Sequence, residues 1–144
     1  MIAIACDHGA FRLKKEIIEY LKEKGIAYKD YGTCEQKSCD YADFAIPVAE
    51  AVARGEFKSG VLLCGTGIGM SIAANKVKGI RAAVVTDEFS ARAARSHNDA
   101  NILCMGERVL GSGLALGILD AFLGTPFEGG RHAVRIGKIA DYEK

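Results

Sequence analysis

A cysteine closes an apolar run and three glycines follow it: Val61-Leu62-Leu63-Cys64-Gly65-Thr66-Gly67-Ile68-Gly69-Met70-Ser71. Two kinds of chemistry meet in this stretch. A thiol can act as a base or a nucleophile. A glycine-rich turn that leads into a helix gathers free backbone N–H groups and the positive end of the helix dipole into a cradle for negative charge. Such settings favour thiolate over thiol in general. The spacing is not that of a nucleotide site: Met70 stands where G-x-G-x-x-G needs its third glycine, and no Gly-Lys-Ser/Thr follows at the P-loop distance. A plainer explanation stands beside the chemical one, since a cysteine at a strand end often serves as a small core hydrophobe.

Three further groups have residue types suited to chemistry. Asp7-His8 follows an apolar run; Asp7 can cap a helix, or it can accept hydrogen bonds from ligand hydroxyls while His8 meets an anion. His97-Asn98-Asp99-Ala100-Asn101 is a polar cluster that either caps a loop or supplies an imidazole acid–base working near neutral pH. Arg131, Arg135 and Lys138 recur at i, i+4 and i+7, so they share one face if the segment is helical. A solvated charged face is the usual outcome, but the guanidinium fork also suits phosphate, and Arg108 could join it.

The elements that must hold these residues alternate along the chain. Strand-like runs fall at 1–6, 26–31, 60–64, 80–85 and 101–105. Helical patterns fall at 10–24, from Tyr41 or Ala42 to 53, at 71–77 with an end near Gly79, from a cap at Thr86 or Asp87 through Arg95, and at 111–123 before Pro126. A basic helix or arm carrying Arg131, His132, Arg135 and Lys138 closes the chain. This alternation predicts a Rossmann-like three-layer α/β/α sandwich with a five-stranded parallel sheet, as a single domain over 1–144. Ligands of such sheets bind beyond the carboxyl ends of the strands. The chemical segments are therefore expected to meet at one sheet edge, with His97-Asn98 the group that precedes its strand rather than following it.

Composition narrows the function classes. With 19 basic and 18 acidic residues the net charge is +1, which provides no general field for nucleic acid or anionic lipid. No apolar stretch is long enough to span a bilayer, and residue 1 leads directly into a strand-like run, so no signal peptide is read and a cytoplasmic protein is expected. The five cysteines are an odd count, which argues against a disulfide framework. Cys34 and Cys39 lie in a polar loop without zinc-ligand spacing, so no metal site is expected.

Taken together, these residues make the chain resemble the ribose-5-phosphate isomerase B family, which also contains galactose-6-phosphate isomerase subunits and allose-phosphate isomerases. The resemblance covers nearly the whole chain. Its marks are Cys6-Asp7-His8, Asp40-Tyr41, the run from Cys64-Gly65-Thr66-Gly67-Ile68-Gly69 through Asn75-Lys76, Gly79-Ile80-Arg81-Ala82, Ser96-His97-Asn98-Asp99-Ala100-Asn101, and Glu128-Gly129-Gly130-Arg131-His132 with Arg135. It implies cofactor-free and metal-free interconversion of D-ribose 5-phosphate and D-ribulose 5-phosphate. In that scheme Cys64 matches the base that moves a proton between C1 and C2, and Thr66 the hydroxyl that assists exchange between the two sugar oxygens. The amides of the turn from Gly65 through Gly67 and Ile68 to Gly69 match the hole for the enediolate. His97 matches the residue that opens the furanose ring. Asp7, Tyr41 and Asn98 match sugar contacts, and His8, Arg108, Arg131 and Arg135 match phosphate contacts. Family members are dimers or tetramers with shared sites, so a homodimer or homotetramer is expected. Two departures are visible: Ala42 stands where many members have proline, and Phe44 where many have a second tyrosine.

The alternatives are distinct in class. A sister isomerase would take a six-carbon sugar phosphate such as allose 6-phosphate or galactose 6-phosphate. A non-enzymatic phosphosugar-binding module would tolerate loss of Cys64. A thiol redox protein is disfavoured by the lack of C-x-x-C.

Overall fold

The computed structural model describes residues 1–143. Its elements are β1 (Ile2–Cys6), a 3₁₀ turn (His8–Ala10), α1 (Phe11–Glu23), β2 (Tyr28–Asp30), α2 (Ala42–Ala53), β3 (Ser59–Cys64), α3 (Ile68–Ala74), β4 (Ala82–Val84), α4 (Glu88–Ser96), β5 (Ile102–Gly106), α5 (Ser112–Gly124) and α6 (Arg131–Tyr142). The five strands form one sheet in the order β2-β1-β3-β5-β4, and every pair is parallel. This is the expected Rossmann-like α/β sandwich.

Side-chain alternation along buried strands splits the core into two layers. Ile2, Ile4, Val61, Leu63, Leu103 and Met105 face one way and pack on Leu13, Ile17 and Leu21 of α1, Ala91 of α4 and Ile118 and Phe122 of α5. Ala3, Ala5, Leu62, Cys64, Ile102 and Cys104 face the other way, onto Val48, Ala49 and Val52 of α2 and Met70 and Ala74 of α3. The chain visits β2 on one side of β1 and β3 on the other, so the direction of winding reverses between β1 and β3. A crevice forms outside the carboxyl ends of two such strands. Asp7-His8 leaves β1 there, and Cys64 leaves β3.

Several boundaries differ from the sequence expectation, each for a local reason. β2 and β4 are shorter than 26–31 and 80–85 because both are edge strands. The Ile26 amide turns back to Leu21 O at 2.9 Å, and the Ile80 amide to Val77 O at 3.1 Å. α3 starts at Ile68, inside the glycine turn, because Gly67 takes φ 82° as its N-cap; L side chains rarely adopt that conformation, and glycine does so freely. It ends at Ala74 rather than near Gly79, because the Asn75 side chain bonds both the amide and the carbonyl of Ala82. The basic C-terminal segment is a helix, α6, not an extended arm.

The larger correction concerns which edge holds what. α4 returns the chain to the amino edge of the sheet, where Asn101 O accepts the Gly60 amide at 2.9 Å. His97 caps the end of α4, so His97 and Asn98 lie at the amino edge. α6 lies there as well: the Glu128 amide donates to Ser96 O at 3.0 Å, and Glu143 Oε2 accepts from the Gly79 amide at 2.7 Å. Arg131 and Arg135 therefore sit with His97, away from Cys64. β3 runs Ser59–Cys64, and at about 3.3 Å per residue the two edges are roughly 16 Å apart. The four segments do not meet at one edge of one chain.

Candidate active site

At the carboxyl edge, the β3–α3 turn is held from two sides. Glu107 N–H donates to Cys64 O and Arg108 N–H to Gly65 O, both at 3.0 Å. β5 ends at Gly106, opposite Cys64 in register, and a Cβ built on Gly106 would lie 2.5 Å from Thr66 Cα. On the other side, a Cβ on Gly9 would lie 3.0 Å from Gly65 N. Neither Gly9 nor Gly106 stands out in the sequence as part of the site. Their only signal is position, each immediately past or at the carboxyl end of a strand.

Within this frame, Gly67 N–H donates to Cys64 Sγ at 3.0 Å. Cys64 is buried, 5% exposed. The other core thiols differ. Burial pushes Cys6 up to about 12, against opposing help from Lys14. Burial, with a smaller contribution from Cys64, also pushes Cys104 up. Those two are core hydrophobes, whereas Cys64 has an N–H aimed at its sulfur. Thr66 is exposed, and its Oγ1 accepts the Ile68 amide at 3.2 Å.

Asp7 is 7% exposed, and its Oδ1 accepts the Gly9 amide at 2.8 Å, which leaves Oδ2 for a ligand hydroxyl. His8 is exposed, and its Nδ1 accepts the Cys39 amide at 3.2 Å. With Nδ1 accepting, the neutral ring has its proton on Nε2, which can act as a donor. Cys39, whose Sγ lies 3.8 Å from the same nitrogen, gains a role in orienting His8 that its loop position did not announce. The Arg108 side chain lies over Gly65, with Cζ 3.4 Å from where a Cβ would stand. Tyr41 packs edgewise on Gly69, where a Cβ would meet Tyr41 Cε1 at 2.8 Å. Phe44 packs against Gly32 in the same way, so it supports the loop rather than offering a phenol. One chain thus brings together Asp7, His8, Tyr41, Cys64, Gly65, Thr66, Gly67, Ile68, Gly69 and Arg108.

His97, Asn98, Arg131 and Arg135 form a second, exposed group at the amino edge. Arg81 Nε donates to the carbonyls of Asn98 and Asp99, and Asp99 carboxylate oxygens accept from Arg81 and Arg95. Asp99 takes φ 46° in that turn. Beside this turn, a cavity of about 560 Å³ opens at the starts of β1 and β3 and is lined in part by Arg95, which also holds Asp99. None of the carboxyl-edge residues line that cavity.

Among the described residues, one group has donor atoms close enough to hold a metal: His97, Glu128 and His132, all within 4.8 Å of one another. The two imidazoles are stacked, with planes 14° apart. Ring lone pairs lie in the ring planes, so here they run side by side and do not converge on one ion.

Comparisons with known proteins bear on the family and the fold. The family model described as Ribose/Galactose Isomerase matches residues 2–139. Ribose-5-phosphate isomerase B of Escherichia coli is 50% identical over 143 residues, covering 99% of this chain and 96% of that protein. The solved ribose-5-phosphate isomerase B of Clostridium thermocellum superposes with TM-score 0.97 at 56% identity, covering 99% of this chain and 96% of its own. The Mycoplasma genitalium enzyme, solved with bound ribulose-5-phosphate, gives TM-score 0.95 at 46% identity over 99% of this chain and 95% of its own. An α/β sandwich with a cysteine at the mouth of a glycine turn, matched by family and structure along nearly its whole length, makes this chain a member of the ribose/galactose isomerase family.

Proposed function

We propose that the chain interconverts D-ribose 5-phosphate and D-ribulose 5-phosphate by proton transfer through an enediolate. The observation that carries this reading is the Cys64 sulfur, 3.0 Å from the Gly67 amide, at the mouth of the glycine turn. In this reaction the thiolate takes the proton from C2 of the open-chain aldose. The electron pair moves into the C1–C2 bond, and negative charge develops on O1. The amides from Gly65 to Gly69 are fixed donors at that charge, and preorganised donors of this kind stabilise a transition state strongly. Thr66 moves the O2 proton to O1, and Cys64 returns its proton to C1, completing the ketose.

Ring opening and phosphate binding draw on both groups of residues. Asp7, Tyr41 and Asn98 hold sugar hydroxyls. His8 and Arg108 meet the phosphate from the Cys64 side, and Arg131 and Arg135 from the His97 side. His97 opens the furanose ring. Because the two groups lie on opposite edges of one chain, we propose that the amino edge of a second copy covers the Cys64 edge. A two-fold homodimer then contains two equal sites, and a homotetramer would pair two such dimers.

The relatives named for ribose 5-phosphate, one of them with ribulose-5-phosphate bound, favour the five-carbon substrate over allose 6-phosphate or galactose 6-phosphate. The test is isomerisation of all three sugars by the purified protein. The five-carbon sugar should have the highest kcat/KM; a six-carbon sugar exceeding it would overturn the substrate assignment.

A further inference from the structure

An exposed imidazole at a helix end ordinarily rotates, yet His97 does not stand alone. Its ring lies flat on that of His132, with centroids 4.4 Å apart and planes 14° apart. His132 lies in the first turn of α6, and its side chain is 9% exposed. The Nε2 atom is fully buried and has no hydrogen-bond partner; the nearest carboxylate oxygen, Glu128 Oε1, is 3.7 Å away. Burying an unpartnered polar nitrogen is costly, and such groups are rare in native cores. What the buried ring does present is a flat face, held against His97. The backbone on both sides is fixed as well. Asp99 ties the turn after His97 to Arg81 and Arg95, and the Glu128 amide ties the start of α6 to Ser96.

We infer that His132 is a positioning residue for His97: its buried ring is the platform that sets the plane of the imidazole that opens the sugar ring. This rests on the isomerase reading above. A ring-opening acid–base must direct an in-plane nitrogen at the sugar oxygen, and an error of tens of degrees forfeits much of its effect. The charged groups facing the pair are Glu128, Arg131 and Arg135. Burial first, then His97 and Arg131, hold the His132 imidazole below its ordinary range, so it offers its neighbour a neutral face.

The test separates ring opening from enolisation. D-Ribulose 5-phosphate has its phosphate on the only hydroxyl that could close a furanose, so it is open-chain. Exchange of its C1 proton in deuterium oxide needs Cys64 but no ring opening. For His132→Ala we expect forward kcat on D-ribose 5-phosphate to fall by about 10–100-fold, part of the ~10²–10⁴ that a positioned acid–base contributes. C1 exchange should stay within about twofold of wild type, and His132→Phe, which restores a ring face, should recover most of the forward loss. Parallel loss of forward rate and exchange would overturn the inference, since it would mean a structural role. Unchanged forward rate in His132→Ala, or a His132→Phe as impaired as the alanine variant, would overturn it too. A His97→Ala comparator keeps the two readings apart: if it retains the forward rate, the ring-opening role of His97 itself fails.

Discussion

Gly106 presses its α-carbon against the Thr66 backbone, so closely that a Cβ there would lie 2.5 Å from Thr66 Cα and 2.7 Å from Gly65 O. The end of β5 thus sets the depth of the amide turn, and that turn is the part of the site that must meet a developing charge. Gly106→Ala should displace the turn. We expect a stability loss of about 1–3 kcal/mol from overpacking and a fall in kcat of roughly 10²-fold from displaced donors. Thermal unfolding and steady-state kinetics check both; wild-type kcat would show that the turn tolerates displacement.

The two-edge arrangement predicts complementation. Cys64→Ala and His97→Ala should each be nearly inactive alone. Mixed and reassociated, half of the dimers are hybrids, and each hybrid contains one site with both Cys64 and His97. Activity should recover to about a quarter of wild type. Failure to recover, with mixed dimers demonstrated by native mass spectrometry, would mean that each site is built within a single chain.

The His132 imidazole is held below its ordinary value of 6.5, first by burial and then by His97 and Arg131. The unfolded chain takes up a proton that the fold resists. The stability this group contributes is therefore complete above about pH 6.5 and is lost as pH falls through that value toward the folded one. The melting temperature should drop between about pH 8 and about pH 5.5, and His132→Phe should drop less, because it has nothing to titrate there. Equal pH dependence in both proteins would remove His132 as a cause.

Fixed amides can meet the enediolate charge without a metal, and the stacked His97 and His132 rings do not converge on one ion. Dialysis against a chelator should leave kcat/KM unchanged. Loss of activity, restored by a divalent cation, would contradict the proposed chemistry.

The carboxyl-edge half of the site was legible in the sequence because each part is local. An apolar run, a cysteine and alternating glycines sit within a dozen positions, and the strand-end rule places Asp7 and His8 beside them. The other half was not legible. His97 and Arg131 look like partners of Cys64 by residue type, but the position of α4 puts them at the opposite edge, and only the direction of a helix between two strands decides that. The start of α3 at Ile68 depended on Gly67 taking a left-handed conformation, which a helical pattern beginning at Ser71 does not signal. The His97–His132 stack joins residues far apart in sequence, and no local pattern announces it. Cys39 was unassigned because its contribution to His8 is a backbone amide, to which side-chain identity is irrelevant.

The central claim is that Cys64 moves the proton. The direct measurement is isomerisation of D-ribose 5-phosphate by wild type and Cys64→Ala, with binding of the same sugar phosphate followed by calorimetry. We predict a loss of kcat of about 10³-fold or more with binding largely retained, since the thiol acts on carbon while other groups hold the sugar and phosphate. A Cys64→Ala protein that isomerises at the wild-type rate would contradict the account.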